Sequence, residues 1–532
     1  MDRIYRIKNL KSKISNFQLQ PFFLYLRLSA FICGFIFLSS CSSSNQSNQN
    51  TQIAETPAFE VPTPQINLLK PLAVSNNPDD VALAKKIDEQ IEKSEFANAR
   101  WGVFVVSLKD GRVLVARDAQ KLFNPASVQK ILTSTVALDK LGADFRWKTA
   151  VYAQNKIEDG TLNGDLILYG QGAPDFSAEG VENLVSQLQS KGLKRIKGNV
   201  VGDESFFKGD EIGEGWSWND LQWYYGAQAS ALTINFNQVT VTLQDGKPKT
   251  EPSTDYIQFS GDVKPAENGE PDAVGLKRDL AENNVYVYGN GKNLDARVAV
   301  ENPALWSAKI LRETLEKKGI AVEGEAKSAS WKTENKTSVE NANELAAIES
   351  QTLGEIVHRM NKDSVNLFAE LILRTLGKRF GEEAPDENPR GQKTRGDDAA
   401  GVAVIRKWLA EKGVSFQETE SIKDGSGLSR LNFVTPETIG RALIAASQMK
   451  ASEIFRNSLP SAGTDGTLRG RLGNARGRIL GKTGSITYVN SLAGYAKNER
   501  ETLAFVILCN NETRRADSSI LIDAIATSLV GN

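Results

Sequence analysis

Ser127-Val128-Gln129-Lys130 places a hydroxyl and an amine three residues apart. On a helix such residues share one face within side-chain reach, which is the geometry a serine nucleophile with a lysine base needs. Ser205 to Lys208 and Ser447 to Lys450 match the same pattern, so further pieces are required. Two stand later in the chain. Ser364-Val365-Asn366 leads into an apolar helical face through Leu367, Phe368, Leu371 and Ile372, while other Ser-x-Asn triplets begin at 43, 75 and 217. Lys482-Thr483-Gly484-Ser485 holds the single Lys-Thr-Gly of the chain and precedes two terminal strands, as an edge strand lining a cleft would.

Other chemistries fail on the residues. Gly481-Lys482-Thr483 ends like a phosphate loop, but that loop needs Gly where Arg476 stands and a helix where Ile486-Thr487-Tyr488-Val489 reads as strand. His358 is the single histidine, too few for a zinc protease helix, and Cys33, Cys41 and Cys509 are too far apart for zinc-ligand spacing. No metal or other cofactor is expected. A Ser-His-Asp triad needs one histidine only, yet His358 points off the face of Ile356, Val357 and Met360 and reads as solvated. Gly425-Ser426-Gly427 is no nucleophile elbow, because Asp424 replaces the Gly needed two before Ser426. With 64 Lys+Arg against 65 Asp+Glu, and no basic run interleaved with aromatics, no nucleic-acid partner is expected. Trp216, Trp218, Trp223, Tyr224 and Tyr225 read as a loop packed against the cleft, and Asp203, Glu204, Asp210, Glu211 and Glu214 as a solvated turn region.

The elements that must hold these residues are legible in outline. A helix near Val81 to Ile91 precedes a hairpin, Val103 to Leu108 and Val113 to Ala116, turned by Lys109-Asp110-Gly111. Asn124 then caps a helix with Pro125 in its first position, which puts Ser127 in the first turn, where free N–H groups favour developing negative charge. From 147 to 339 the texture is short strands with Gly-rich turns and one helix near Leu305 to Lys317. Helical patterns return at Leu353 to Met360, Asn366 to Leu376, Ala399 to Lys412 and Thr438 to Gln448, followed by strands at Ser491 to Ala496 and Leu503 to Leu508 and a helix at Ile520 to Val530.

Residues 1–40 read as an export leader: Arg3, Arg6, Lys8, Lys11, Lys13 and Arg27 form a basic region, and Leu28 to Leu38 is apolar but shorter than a spanning helix. Leu38-Ser39-Ser40-Cys41 is similar to the bacterial lipobox, which makes Cys41 the expected lipidation site. Residues 41–80, rich in Ser, Asn, Gln and Pro, read as a flexible tether. Loss of the leader takes the net charge from -1 to -6 and leaves Cys509, at the end of the apolar run from Leu503, as the one free thiol.

With its three motifs in order, the chain resembles the serine penicillin-recognising enzymes, and more narrowly the D-alanyl-D-alanine carboxypeptidase/endopeptidase branch of the low-molecular-mass penicillin-binding proteins. In that branch a large insertion separates the first two motifs, and here Ser364 lies 237 positions after Ser127. The resemblance implies an α/β transpeptidase/β-lactamase-like domain, with an antiparallel sheet flanked by helices, in two segments (81–146 and 340–532) around a β-rich insertion at 147–339. Ser127 would be the acylated nucleophile and Lys130 its base; Ser364 would relay a proton to the leaving amine and Asn366 would hold the substrate amide. Lys482 would keep the site positive, Thr483 and Ser485 would receive the terminal carboxylate, and the N–H groups of Ser127 and Ser485 would form the oxyanion hole. Gly484, Ser426 and Gly427 count among the substrate-binding positions by the same resemblance. The implied partners are peptidoglycan peptides, β-lactams as covalent inhibitors, and a membrane reached through the lipid, with the catalytic part outside the cytoplasmic membrane. A β-lactamase or esterase with the same residues, or a catalytically idle wall-binding lipoprotein, are the alternatives. Val365 departs from the polar residue frequent at that place, and the lipobox and tether depart from the soluble periplasmic members.

Overall fold

A computed structural model describes residues 59–266, 271–333, 339–381, 396–512 and 517–531. The leader, Cys41 and the first part of the tether lie outside the described residues. Five antiparallel strands, β1 (Arg100–Ser107), β2 (Val113–Arg117), β3 (Ile479–Ile486), β4 (Val489–Lys497) and β5 (Thr502–Asn510), form a sheet in the order β3-β4-β5-β1-β2. The longer helices around it are α1 (Pro78–Glu92), α2 (Lys130–Lys140), α3 (Leu353–Lys362), α4 (Asn366–Phe380), α5 (Asp397–Glu411), α6 (Pro436–Gln448) and α7 (Ser519–Val530).

Both faces of the sheet are covered. Val103, Val105, Phe505 and Ile507 pack with Ile87 and Ile91 of α1 and Ile522 and Ile525 of α7. The alternate residues Phe104, Val106, Val506 and Leu508 join a second core with Ile131 of α2, Phe368 of α4 and Leu443 of α6. A strand buried on both sides has no polar face to alternate with, so Leu503 to Cys509 runs apolar without a break. Cys509 is fully buried there.

The polypeptide leaves this body after Trp147 and returns at Ser350, whose amide donates to the Trp147 carbonyl at 2.9 Å. Strand Lys148–Ala153 pairs with Asn343–Glu349, so the outgoing and returning chains lie side by side in a five-stranded mixed sheet with strands 166–170, 200–203 and 326–329. Three smaller sheets complete the described part of the insertion. Helix Pro303–Lys317 was expected, but helix Ala178–Ser190 was not. It buries Val181, Leu184, Val185 and Leu188 and is capped by the Ser177 hydroxyl, a helical spacing overlooked amid the surrounding strands.

Two readings need correction. Residues 59–77, expected to be tether, pack on the body: Leu68 is buried, Val113 bonds Ala73 and Ser75 through its backbone, and Gln448 of α6 donates to the carbonyls of Pro64 and Ile66. The apolar residues Phe59, Val61, Ile66, Leu68 and Leu72 supply the contacts by which this segment packs. Asp203 and Glu204 are buried, not solvated, because Asp203 ends an internal strand of the mixed sheet; the Ser205 amide donates to Asp203 and the Ser230 hydroxyl to Glu204.

Candidate active site

Ser127 lies in a tight 3₁₀ turn, Ala126–Gln129, that runs into α2. The expected Asn124 cap is not formed: Pro125 takes the N-cap position with no side-chain bond to the turn, and Asn124 instead accepts from the Ala126 amide at 2.9 Å just ahead of it. Ala126 at φ 47° interrupts α-helical geometry and the α-helix begins at Lys130, so Ser127 sits in the turn ahead of it. Asn124 also donates to the Ser429 carbonyl at 3.0 Å, and its backbone exchanges bonds of 2.8 and 3.0 Å with the Asn510 side chain at the end of β5. The nucleophile turn is thereby tied to the sheet and to the 424–430 loop.

Lys130 is fully buried. Its Nζ stands 2.9 Å from Ser127 Oγ, 2.7 Å from Asn366 Oδ1 and 2.8 Å from the Ser426 carbonyl oxygen. Burial pushes the amine down to about 7, against the pull of Asp424 and then Glu370 toward the ammonium. Relative to the ordinary lysine value this disfavours the ammonium by about 5 kcal/mol. Asn366, the first residue of α4, donates its amide to the Tyr225 carbonyl at 2.9 Å, so a loop of the insertion fixes which end of that side chain faces Lys130.

Lys482 on β3 is fully buried and donates to Ser364 Oγ and the Thr483 carbonyl, both at 2.9 Å. Burial first, and the neighbouring Lys130 second, hold its amine well below the usual lysine range, with Asp363 pulling the other way. Ser364 is presented from a left-handed backbone, φ 58°. Thr483 Oγ1 lies 2.7 Å from Thr467 Oγ1, and Ser485 is exposed further along the strand. Gly484 is where β3 crosses the nucleophile turn: a Cβ there would stand 2.8 Å from Ser127 N and 2.9 Å from the Pro125 carbonyl oxygen. β3 is an edge strand: segment 460–462 bridges its start at Ile479 to Gly481, and among the described residues no strand lies beside its outer side from Lys482 to Ser485.

The three motifs therefore meet around Ser127 and Lys130, while the rival sequence matches do not join them. Ser447 donates to the carbonyl of Ile444 within α6, and Ser205 stands in the insertion beside Asp203. His358, expected to be solvated, is half-buried on α3. Of the aromatic loop, Trp216 does pack as expected, donating to Asp424 at 3.0 Å.

Ser426 and Gly427 take up positions behind the cleft. The Ser426 side chain is fully buried and donates to Asp424 at 3.3 Å, while its carbonyl faces Lys130. Gly427 has φ +85°, and a Cβ on it would lie 1.8 Å from the Ala126 carbonyl oxygen. Gly427→Ala is expected to lower stability by about 2 kcal/mol or more through strain and overlap, and to displace the nucleophile turn. A thermal melt together with penicillin acylation checks this; an unchanged melt with full acylation would contradict it.

Sequence reasoning overlooked Glu370. It is fully buried on α4, accepts from the amides of Gly425 and Ser426 at 3.1 and 2.9 Å, and pairs with buried Arg374 at 3.0 Å. A signal existed, because Asn366, Glu370 and Arg374 recur at four-residue spacing with only apolar residues between them. The Tyr225 carbonyl was also overlooked, because backbone atoms carry no sequence signature.

Comparison with known proteins agrees with this geometry. The chain is 28% identical over 476 residues to a D-alanyl-D-alanine carboxypeptidase of an Actinomadura species, covering 84% of each chain. It is 28% identical over 425 residues to the D-alanyl-D-alanine carboxypeptidase DacB of Haemophilus influenzae, covering 77% of this chain and 85% of the relative. The solved structure of penicillin binding protein 4 (dacB) from Haemophilus influenzae superposes with a TM-score of 0.70 at 26% identity, covering 83% of this chain and 98% of that one. The family model described as the D-Ala-D-Ala carboxypeptidase 3 (S13) family matches residues 83–529. A match of that extent, over a serine, two lysines and an asparagine gathered at one cleft, means that the chain belongs to the D-Ala-D-Ala carboxypeptidase 3 family.

Proposed function

We propose that Ser127 is the nucleophile of a serine DD-peptidase that cleaves D-alanyl-D-alanine bonds of peptidoglycan stem peptides, with Lys130 as its base. The observation that carries this reading is the set of three acceptors around the Lys130 amine. A neutral amine has two N–H donors and one lone pair; Asn366 Oδ1 and the Ser426 carbonyl can only accept, so the lone pair is left for the Ser127 hydroxyl. The Ser127 proton passes to Lys130 as Oγ bonds to the carbonyl carbon of the penultimate D-alanine. As the C–N bond breaks, the proton is delivered through Ser364 to the leaving amine, and water then hydrolyses the ester.

An extended substrate lies along the free edge of β3, its carbonyl oxygen between the N–H groups of Ser127 and Ser485 and its carboxylate at Thr483 and Ser485. The incoming anion raises the depressed pKa of Lys482, so the site gains its positive charge when the substrate is seated. Ser426 and Gly427 serve here by positioning Lys130 and the nucleophile turn rather than by touching substrate. Incubation with purified monomeric and cross-linked muropeptides tests the reading. Loss of a terminal D-alanine from pentapeptides, or opening of D-alanyl cross-links, is expected; neither product from a folded enzyme would overturn it, and rapid turnover of penicillin instead would mark a β-lactamase.

We further infer that Cys41 carries a lipid that holds the peptidase at the envelope outside the cytoplasmic membrane, supported by the basic and apolar leader ending in Leu38-Ser39-Ser40-Cys41. Cys41→Ser is expected to move the protein from the membrane to the soluble fraction or to leave its leader uncleaved. A native mature N-terminus mapped elsewhere would contradict the anchor.

A further inference from the structure

Behind Lys130 lies a buried polar layer that the three motifs do not include. The Glu370 carboxylate sits on α4, one turn beyond Asn366, and is fully buried. One oxygen takes the consecutive amides of Gly425 and Ser426; the other takes Arg374, which is itself 2% exposed and also donates to the Asp210 carbonyl of the insertion at 2.9 Å. Two consecutive N–H groups on one oxygen fix the 425–426 segment, and with it the direction of the Ser426 carbonyl. Asp424 completes the loop by accepting from the amides of Gly427 and Ser429, from Asn432 and from Trp216.

We propose that Glu370, anchored by Arg374, is a positioning residue for the lysine base: it aims the Ser426 carbonyl at Lys130 Nζ so that the amine lone pair is left facing Ser127, and its charge sets the pH at which that amine becomes neutral. The inference rests on Lys130 being the base. Without Ser426 as an acceptor, a neutral amine has Asn366 alone to hold one of its protons, and its lone pair is free to turn away from Ser127.

The charges facing these groups have opposing signs. Lys130 is faced by Asp424 and Glu370, which favour its ammonium, and Lys482 stands across from it on β3 with Asp363 beyond. Glu370 is faced by Arg374 and Asp424, and Arg374 also meets Asp398 at 3.9 Å and the field of Glu211. Burial pushes the Glu370 carboxyl up to about 7, with Asp424 pushing the same way and Arg374 the other. The Glu370 charge, present as pH rises through about 7, favours the Lys130 ammonium over the same range, so removing it lowers the Lys130 pKa because one of the two anions favouring the ammonium is gone.

The test is the pH profile of acylation by a fluorescent penicillin, measured on the full chain and on Glu370→Gln. A glutamine cannot both accept from the two amides and satisfy the Arg374 donor, since its amide presents NH₂ to one of them. The expected result is a rate at the alkaline plateau reduced about tenfold or more, with the acid limb moved down by about half a pH unit or more. Glu370→Asp, which keeps the charge on a shorter stem, is expected to return the limb to its wild-type position while the plateau stays low. A lowered plateau with an unmoved limb would leave Glu370 a structural residue only, and an unchanged profile would leave it a bystander; either overturns the proposal. If Glu370→Gln does not fold, the pair E370Q/R374M removes the donor conflict and the buried cation together, and its limb must move in the same direction; failure of both to fold assigns Glu370 to folding and overturns the proposal. Lys130→Arg in the same assay separates the two claims, because near wild-type acylation by that variant overturns the base assignment itself.

Discussion

Ser127→Ala loses covalent labelling by a fluorescent penicillin by on the order of 10³-fold or more while its thermal melt stays within about 1 kcal/mol of wild type. The reason is local. Ser127 Oγ is the one hydroxyl among the described residues within hydrogen-bond reach of the Lys130 amine, and because Ser127 is itself partly exposed in an otherwise buried turn, its removal takes away the attacking atom without opening a large cavity. The Asn124 and Asn510 clamp that shapes the turn uses backbone and asparagine atoms alone, so it survives the change. Undiminished labelling, or a label mapped to Ser205 or Ser447, would remove Ser127 from the mechanism.

Lys130→Arg is expected to acylate about 10² to 10⁴ times more slowly than wild type, the usual contribution of a positioned base. A guanidinium fits the charge but not the chemistry, because it does not give up its proton in this pH range. The wild-type rate carries the complementary signature. A lysine held down to about 7 is ammonium below that pH and a free amine above it, and the free amine is the base, so acylation rises as pH increases through about 7. Near wild-type acylation by the arginine variant, or a limb near the ordinary lysine value of about 10.4, would transfer the base role to Ser364 with Lys482.

The outline of the fold was legible because each major element announces itself locally. Asp110-Gly111 turns the first hairpin, the unbroken run from Leu503 marks a strand covered on both sides, and Asn366 opens a helix with a continuous apolar face. The site was legible through side chains whose chemistry is spelled in short motifs. What escaped depends on contacts between distant segments. The helix Ala178–Ser190 was hidden by the strand-rich texture around it, and residues 59–77 were given to the tether because their few apolar side chains matter only once the groove beside α6 exists. Glu370 was passed over for the same reason: a lone carboxylate on an apolar helix has no meaning until the 424–430 loop folds over it. The Tyr225 carbonyl, which orients Asn366 from 141 positions away, could not be read from residue types at all.

The most direct measurement is to quench the enzyme during turnover of a slowly deacylated D-alanyl ester or peptide substrate and to map the trapped acyl group by mass spectrometry of its fragments. An ester on Ser127 that accumulates with substrate, decays when substrate is exhausted, and is missing from the Ser127→Ala protein is the predicted result. An acyl group carried by Ser364, Ser426 or any other side chain, or product released from a protein that never carries one, would contradict it.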